Sequence, residues 1–256
     1  AYFQLTELVS AELSPANATA ILDRLGQSTI MILLNNSGNS NKTFDLELYN
    51  FNEQGEVCDP DIDCIIQVTF ADDLTDQPSK TQTVAAGGQA IVRIYAMVGM
   101  EARADRENKF ELAVSSNGTE LDRSGVIVKA NPFHFINFYM NEEYNAIPGA
   151  TIRVPINLVN NGNLLEVVNV TALTPANWNT SVNDSNIAIE PSSGLEQGVS
   201  VEVSITLPPL EPGSILAADE VFNVIIQVLN ITDNIVIGTS NITVTILPVF
   251  ALNILS

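Results

Sequence analysis

The chain carries one strand-and-turn pattern twice, first as Thr29-Ile30-Met31-Ile32-Leu33-Leu34-Asn35-Asn36-Ser37-Gly38-Asn39 and again as Thr151-Ile152-Arg153-Val154-Pro155-Ile156-Asn157-Leu158-Val159-Asn160-Asn161-Gly162-Asn163. Each copy is an apolar run that ends in Asn and Gly, which is typical of a buried β-strand followed by a tight turn. A pattern that returns in this way indicates an internal repeat.

Two further landmarks recur in the same order. The segment 84–88 and the strand after it match 191–194 and the strand 199–207, while 110–114 matches 222–226. Three pairs separated by a little over a hundred residues predict two copies of one β domain, because about a hundred residues is the usual size of a sandwich. The boundary is expected near Asn131-Pro132.

The apolar residues alternate with polar ones, which is the period of a strand with one buried face. The clearest examples are Val199, Val201, Val203, Ile205 and Leu207, then Phe44, Leu46 and Leu48, and then Ile242, Val244 and Ile246. Short strands separated by Asn, Gly and Pro turns indicate a sandwich rather than a parallel α/β sheet. Only 99–108 has a helix-favouring composition, enough for a turn or two.

The Asn/Gly turn after the second strand, the segments Ala85-Ala86-Gly87-Gly88 and Pro191-Ser192-Ser193-Gly194, and the Phe-led late strands together resemble a known type of domain. They are similar to the tandem immunoglobulin-like (CARDB or adhesion-type) modules of secreted prokaryotic, above all archaeal, cell-surface proteins. The resemblance implies an all-β fold of two tandem immunoglobulin-like β-sandwiches, and it implies a spacer or assembly role, including that of a donor-strand filament subunit.

The predicted organisation has four parts. Residues 1–16 form an N-terminal extension, 17–131 the first sandwich, 132–246 the second, and 247–256 a strand-like C-terminal tail. Both ends are apolar, and apolar ends left exposed are aggregation hazards. One interpretation is that each end returns to its own domain as an edge strand, and the other is that an end adds to a neighbouring copy.

The N-terminal extension is the favoured donor strand, because it precedes a complete set of strands starting near Ala18. The residues assigned to the donor strand are Phe3, Leu5, Leu8 and Val9. Donation from copy to copy that does not close into a ring gives a filament, so the predicted partner is the protein itself.

The charge of the chain excludes two classes of partner. The formal net charge is −20, from 30 acidic and 10 basic residues, and Arg153 is the last basic residue. Such a surface repels nucleic acid and anionic membranes. The sequence also has no apolar run of the length that a membrane-spanning helix needs.

Acceptor triplets for N-linked glycans are frequent. They begin at Asn17, Asn35, Asn41, Asn117, Asn169, Asn179, Asn183, Asn230 and Asn241. One interpretation is that Asn, Ser and Thr are simply the polar residues of the solvent-facing strand positions. The other is a glycosylated exterior, which together with a chain that starts without Met predicts a mature protein on an archaeal outer surface.

Two cysteines and three aspartates share one loop. Cys58 and Cys64 bracket Asp59, Asp61 and Asp63, and a loop of this length can close as a local disulfide in an oxidising compartment. Alternating carboxylates suit Ca²⁺, although the loop lacks the Gly and Glu of a helix-loop-helix calcium site. A solvated acidic hairpin tip is the alternative, and no other cofactor is predicted.

Catalytic residues are not predicted. His134 is the sole histidine, which leaves no second histidine for a zinc site and only one candidate base for a nucleophile. Gly87-Gly88 lacks the Lys and helix of a phosphate loop. We therefore expect a non-enzymatic, extracellular, N-glycosylated structural subunit that forms a pilus-like homopolymer, with a carbohydrate-binding or adhesive module, or an S-layer-associated spacer, as the alternative.

Overall fold

The computed structural model describes residues 6–52, 55–58, 66–71, 78–99, 102–192, 198–210 and 217–249. Within these ranges the chain forms β-strands and no helix, and therefore no helix that could cross a membrane. It divides into two compact units, Ala1–Pro132 and Phe133–Ser256. Each unit is an immunoglobulin-like β-sandwich, so the chain is all-β with two such domains in tandem.

The first unit contains β1 (Ala11–Ser14), β2 (Asn17–Leu22), β3 (Gln27–Asn36), β4 (Lys42–Phe51), β5 (Ile66–Phe70), β6 (Ser79–Val84), β7 (Gln89–Val98), β8 (Glu107–Ser116) and β9 (Thr119–Ala130). One sheet has the order β1-β3-β7-β5 and the other β2-β9-β8-β4-β6. All pairs are antiparallel except β2 with β9. Between the sheets lie alternate residues of each strand, and the largest fully buried ones include Phe44, Phe70 and Phe110.

The second unit contains β10 (Ile136–Tyr139), β11 (Glu143–Ala146), β12 (Thr151–Asn160), β13 (Glu166–Leu173), β14 (Asn179–Val182), β15 (Ile187–Ile189), β16 (Val199–Thr206), β17 (Val221–Asn230) and β18 (Ile235–Ile246). Its sheets have the orders β10-β12-β16-β14 and β11-β18-β17-β13-β15. The core includes Trp178, whose ring centroid lies 5.3 Å from that of Phe222.

The two units repeat each other strand for strand. Adding nine to each strand number of the first unit gives the sheet orders of the second. The crossings between the two sheets are also shared. From β4 the chain crosses to the edge strand β5 beside β7 and then returns to β6 beside β4. In the second unit it crosses from β13 to the edge strand β14 beside β16 and then returns to β15 beside β13. The internal repeat predicted from the sequence is thus present in the fold.

The N-terminal segment differs from its prediction as an extension outside the first sandwich. Residues 11–14 are β1, the edge strand beside β3, and Ala11 and Leu13 are buried in the core of the first unit. Val9 packs against the same core, whereas Leu8 is exposed. The described part of the segment therefore forms the edge of the first sheet, and its apolar residues face the core. Phe3 and Leu5 lie outside the described residues, and donation of the segment to another copy stays a prediction.

Two other expectations concern local structure. In the helix-favouring segment 99–108, the described residues form no helix. They form loop and turn up to Arg106, and β8, which pairs with β9, begins at Glu107. At the other end, the backbone N–H of Leu247 donates to the carbonyl of Ala146 at 2.8 Å, and Leu247 and Val249 are exposed. The rest of the predicted tail, from residue 250, lies outside the described residues.

A buried asparagine closes the turn after the third strand of each unit, β3 or β12. The Nδ2 of Asn36 donates to the carbonyls of Ser40, Val84 and Ala85 at 2.9 to 3.1 Å, and its Oδ1 accepts from the N–H of Gly38 at 3.0 Å. The side chain therefore ties the turn in one sheet to the end of β6 in the other. Asn36 is 2% exposed, so these carbonyls have little access to water.

The second unit has the same device at Asn160, which is fully buried. Its Nδ2 donates to the carbonyls of Leu164 and Ile189 at 2.8 and 2.9 Å, and its Oδ1 accepts from the N–H of Gly162 at 2.9 Å. The Asn/Gly turn that marks the repeat in the sequence is thus a buried hydrogen-bonding centre in both sandwiches.

Replacing either asparagine should destabilise its own sandwich. Asn36→Ala and Asn160→Ala each leave buried carbonyls without a donor, which costs about 2–3 kcal/mol of unfolding free energy. Asn223→Ala, at an exposed position of β17, is the control and should change it by less than about 0.5 kcal/mol. Urea unfolding is followed by circular dichroism for the whole chain and by fluorescence of Trp178, the sole tryptophan, for the second unit. Asn36→Ala values equal to those of the control would contradict this role.

Candidate functional site

The segment that enters each sandwich is held by the turn just described. We call residues 6–14 the first entry segment and residues 133–139 the second. In the first unit the N–H of Leu8 donates to Oδ1 of Asn39 at 2.8 Å, and the N–H of Asn39 donates to the carbonyl of Leu8 at 3.2 Å. Asn39 Nδ2 also donates to the carbonyl of Thr6 at 3.0 Å. One asparagine thus binds the segment through three hydrogen bonds.

Close approach of the two backbones explains the glycine in this turn. A Cβ on Gly38 would collide with the carbonyl oxygen of Leu8, and a Cβ on Gly162 would collide with that of Phe133. Glycine is the residue that lets backbones approach so closely. The Asn/Gly pair therefore serves both the turn and the entry segment.

The second entry segment is held in the same way. The N–H of Phe133 donates to Oδ1 of Asn163 at 2.8 Å, and the N–H of Asn163 donates to the carbonyl of Phe133 at 3.0 Å. The N–H of Asn161 donates to the carbonyl of Phe135 at 2.8 Å. We call the two sets of turn residues, 36–39 and 160–163, the first and second entry clamps.

An acidic side chain and its partner flank each clamp, and the acid lies on the entry segment in the first unit and on the sandwich in the second. In the first unit, Glu7 of the entry segment accepts from the Ser40 hydroxyl at 2.7 Å and lies 3.4 Å from Nζ of Lys42. The Ser40 hydrogen bond and then the charge of Lys42 hold the pKa of Glu7 below its usual value. In the second unit the corresponding acid, Glu166, lies on the sandwich, and the entry segment supplies His134.

Glu166 is fully buried, yet both of its oxygens have partners. His134 Nδ1 lies 2.8 Å from Oε1, and Nδ2 of Asn230 donates to Oε2. Oδ1 of Asn230 accepts in turn from the N–H groups of Thr232 and Asp233. A buried carboxyl whose oxygens are both occupied anchors the entry segment and presents no free oxygen to a substrate. The sequence showed no sign of this contact, which joins residues far apart in the chain.

This cluster corrects one predicted glycan site. Asn230 is 2% exposed, and the amide nitrogen that would carry the sugar is bound to Glu166. Of the other predicted acceptors, Asn35 and Asn169 are partly buried, and the remaining ones are exposed: Asn17, Asn41, Asn117, Asn179, Asn183 and Asn241. Among these, Asn117 lies at the exposed tip of the tight β8–β9 turn, with φ +53°.

The predicted cysteine loop is described only at its start. Cys58 is 6% exposed and is not a free thiol. Cys64, Asp59, Asp61 and Asp63 lie outside the described residues, so both the Cys58–Cys64 bridge and the Ca²⁺ site stay predictions. Within the described ranges, no three His, Cys, Asp or Glu side chains are grouped to bind a metal.

An exposed apolar face on the first unit was not predicted. On the outer side of the sheet β1-β3-β7-β5, Met31, Ile91, Tyr95 and Met97 are all exposed. By strand register, the positions of the last three are taken in the second unit by Ser200, Ser204 and Thr206. Along β3 and β7, apolar residues occur on both faces of the strand. The sequence pattern alone therefore could not tell which face packs into the core.

The opposite face of the first unit carries ion pairs. Glu111 lies 2.5 Å from Nζ of Lys109 and 2.6 Å from the guanidinium of Arg123, which also pairs with Glu120 at 2.7 Å. Burial raises the pKa of Glu111, but the hydrogen bonds and charges of Lys109 and Arg123 outweigh it and hold the pKa below 4.5. Glu120 and then Glu111 raise the pKa of Arg123.

No family model matches the chain, and no curated protein matches it. Among solved structures it is similar to domains 4 and 5 of the S-layer protein SbsC, at 14% identity over 94% of this chain and 99% of that one, with a TM-score of 0.32. It is similar to the protocadherin GammaB4 extracellular domain at 10% identity over 93% and 32%, with a TM-score of 0.45. It is also similar to titin domains z1z2, at 10% identity over 95% and 98%, with a TM-score of 0.33. Likenesses this distant concern the fold alone.

Glu111 should make the stability of the first unit depend on pH. Because its pKa is lower in the folded chain, its stabilising effect is present above 4.5 and is lost as the pH falls through the folded value. Glu111→Gln should lower the unfolding free energy by about 1 kcal/mol at pH 7, and the difference from the unmodified chain should shrink below pH 4.5. Urea unfolding at several pH values measures it, with the exposed Glu142→Gln as control. A difference that grows on acidification would refute the assignment.

Proposed function

We propose that this protein is a non-enzymatic, secreted structural subunit of a prokaryotic cell surface, which assembles with copies of itself into an extracellular filament by strand exchange. The observation that carries the proposal is the entry clamp, present twice. Each sandwich takes its first strand from a short segment at a sheet edge, and hydrogen bonds to the backbone of that segment hold it in both units.

Backbone binding at a sheet edge is the basis of strand addition between chains. Beyond the pairing of β1 with β3, the first entry segment is held by hydrogen bonds to its backbone at Thr6, Leu8 and Ser10, so the bonds do not depend on its side chains. The side chains that face the core are Ala11 and Leu13, which are buried, and Val9, which packs against it. A segment of another copy with suitable apolar residues can therefore satisfy the same groups. A non-closing exchange of this kind produces a filament.

A glycosylated exterior fits the same proposal. The exposed acceptor asparagines occur on both units, on strands and turns alike. Neutral glycans separate the acidic surfaces of neighbouring copies and protect a structure outside the cell. A Cys58–Cys64 bridge would belong to the same oxidising compartment, and we place the protein on an archaeal surface.

The proposal gives the protein no catalytic role. His134 is the sole histidine of the sequence, and its Nδ1 is engaged by the buried Glu166. The ion pairs of Glu111 and Glu120 are satisfied by Lys109 and Arg123 on an outer sheet face. These carboxylates have structural partners, which is the opposite of a poised acid and base.

The exposed apolar face of the first unit supports a second candidate, an adhesive or carbohydrate-binding module or an S-layer-associated spacer. Tyr95 and its neighbours Met31, Ile91 and Met97 form an apolar surface, whereas the second unit has Ser200, Ser204 and Thr206 at the positions of three of them. Exposed apolar patches often mark sites of interaction. Binding of monomeric protein to a glycan array would favour this candidate, and assembly without such binding would favour the filament.

Assembly is the direct test. The purified 256-residue chain should form filaments as its concentration is raised, and added salt should promote them by screening the net charge of −20. Negative-stain electron microscopy and size-exclusion chromatography measure this, with the same protein at low concentration as the monomeric control. Monomers alone under all these conditions, and no filaments in material taken from the cell surface, would rule the proposal out.

A further inference from the structure

The last strands of the two units end in equivalent ways. Ala130, at the end of β9, is opposite Leu22, and Ile246, at the end of β18, is opposite Ala146. The next residue in each case donates its N–H to the carbonyl of that partner at 2.8 Å, Asn131 to Leu22 and Leu247 to Ala146. The chain therefore leaves both sandwiches from the same position.

The sequences that follow these two positions match. After β9 comes Asn131-Pro132-Phe133-His134-Phe135-Ile136-Asn137-Phe138-Tyr139, and after β18 comes Leu247-Pro248-Val249-Phe250-Ala251-Leu252-Asn253-Ile254-Leu255. Both have proline second and asparagine seventh, with apolar residues third, sixth and eighth. The first of these stretches contains the second entry segment. The second stretch thus has the sequence of an entry segment.

The structure shows the role of the second entry segment. Its strand β10 pairs with β12, with Ile136 opposite Asn160, Asn137 opposite Val159 and Phe138 opposite Leu158. Ile136 is 2% exposed, and Phe138 packs against the core. A segment that comes from the end of one sandwich thus supplies the first strand of another.

We propose that residues 249–255 of one copy bind as the first strand of the first sandwich in a second copy, in place of β1. This rests on the proposed self-assembly and identifies its donor as the C-terminal tail instead of residues 1–16. Transferred to the first unit, the register puts Leu252 in the place of Ala11, Ile254 in the place of Leu13, and Asn253 opposite Asn35.

The first entry clamp offers the groups that this tail needs. Asn36, Gly38 and Asn39 correspond to Asn160, Gly162 and Asn163 and make the same hydrogen bonds. Val249 has a backbone N–H that can donate to Oδ1 of Asn39, as that of Leu8 does, and Phe133 donates in the same way to Asn163. Pro248 precedes it, as Pro132 precedes Phe133, and its fixed φ suits an extended entry.

Charge and burial both favour the exchange over β1. Residues 247–255 contain no charged side chain, so the exchange removes Glu12 and Glu7 from the sheet edge of an acidic protein, with the loss of the Glu7–Lys42 ion pair. Leu252 offers a larger apolar side chain than Ala11 at a buried position. In favour of β1 is its link to β2 through only Pro15 and Ala16, which gives it a high effective concentration. Exchange should therefore depend on protein concentration.

Changing the inward residues of the tail tests the proposal. The double variant Leu252→Asp/Ile254→Asp puts two carboxylates into an apolar site, so the concentration needed for filaments should rise about a hundredfold. The matched control is Asn253→Asp, which adds charge at the outward position and should raise it by less than about tenfold. Circular dichroism of the monomers checks that both variants are folded. Filaments that form equally well from the double variant would overturn the tail as donor and leave the proposed function standing.

A cross-link between copies gives the register. Asn35→Cys and Asn253→Cys are made in separate chains, mixed, assembled and oxidised, because residues opposite each other on paired strands come within reach of a disulfide. We expect peptides containing positions 35 and 253 to be joined in filaments and separate in monomers. A link from position 253 to any other strand would overturn the assigned site. If the unmodified chain forms no filaments, the proposed function fails and this inference falls with it.

Discussion

Buried side-chain amides at one turn hold each sandwich together. Asn36 and Asn160 each give hydrogen bonds to carbonyls of the opposite sheet, in places where water cannot replace them. A buried carbonyl without a donor costs as much as several favourable contacts contribute, so the turn has essentially one arrangement. Gly38 and Asn39 follow Asn36 in this turn, as Gly162 and Asn163 follow Asn160. The groups that bind the entry segment are therefore fixed as well. The closing of the core and the recognition of the first strand therefore depend on the same few residues.

The two sandwiches use this common turn with different electrostatics. Glu7 and Lys42 meet at the surface, where an ion pair is screened and weak. Glu166 and Asn230 are buried and His134 is partly exposed, and removal of one partner leaves a buried polar group unsatisfied. Release of the second entry segment would leave Glu166 without one of its two partners. The first is held by backbone hydrogen bonds, by the inward side chains of Val9, Ala11 and Leu13, and by the surface pair of Glu7 with Lys42, which suits the proposed exchange.

Much of the fold could be predicted from the sequence, and the reason is the period of two. The inward residues of β4, β16 and β18 alternate cleanly with polar ones, and the repeated Asn/Gly turn identified the duplication. The place of residues 6–14 could not be predicted in this way, because its contacts to Asn39 and Asp122 are remote in sequence. Nor could the burial of Asn230, since an acceptor triplet looks the same whether it ends a core strand or lies on the surface. The exposed Tyr95 and Met97 were missed because apolar residues on the outer face do not break a strand pattern.

Native-state hydrogen exchange of the monomeric chain tests the central claim most directly. The N–H groups of Asn39 and Asn163 donate to the carbonyls of Leu8 and Phe133, so they report the two entry segments separately. If both segments complete their sandwiches, each amide should be protected to within about tenfold of the core amides of β3 and β12. An Asn39 amide that exchanges as fast as an unstructured peptide, while β3 stays protected, would contradict the account.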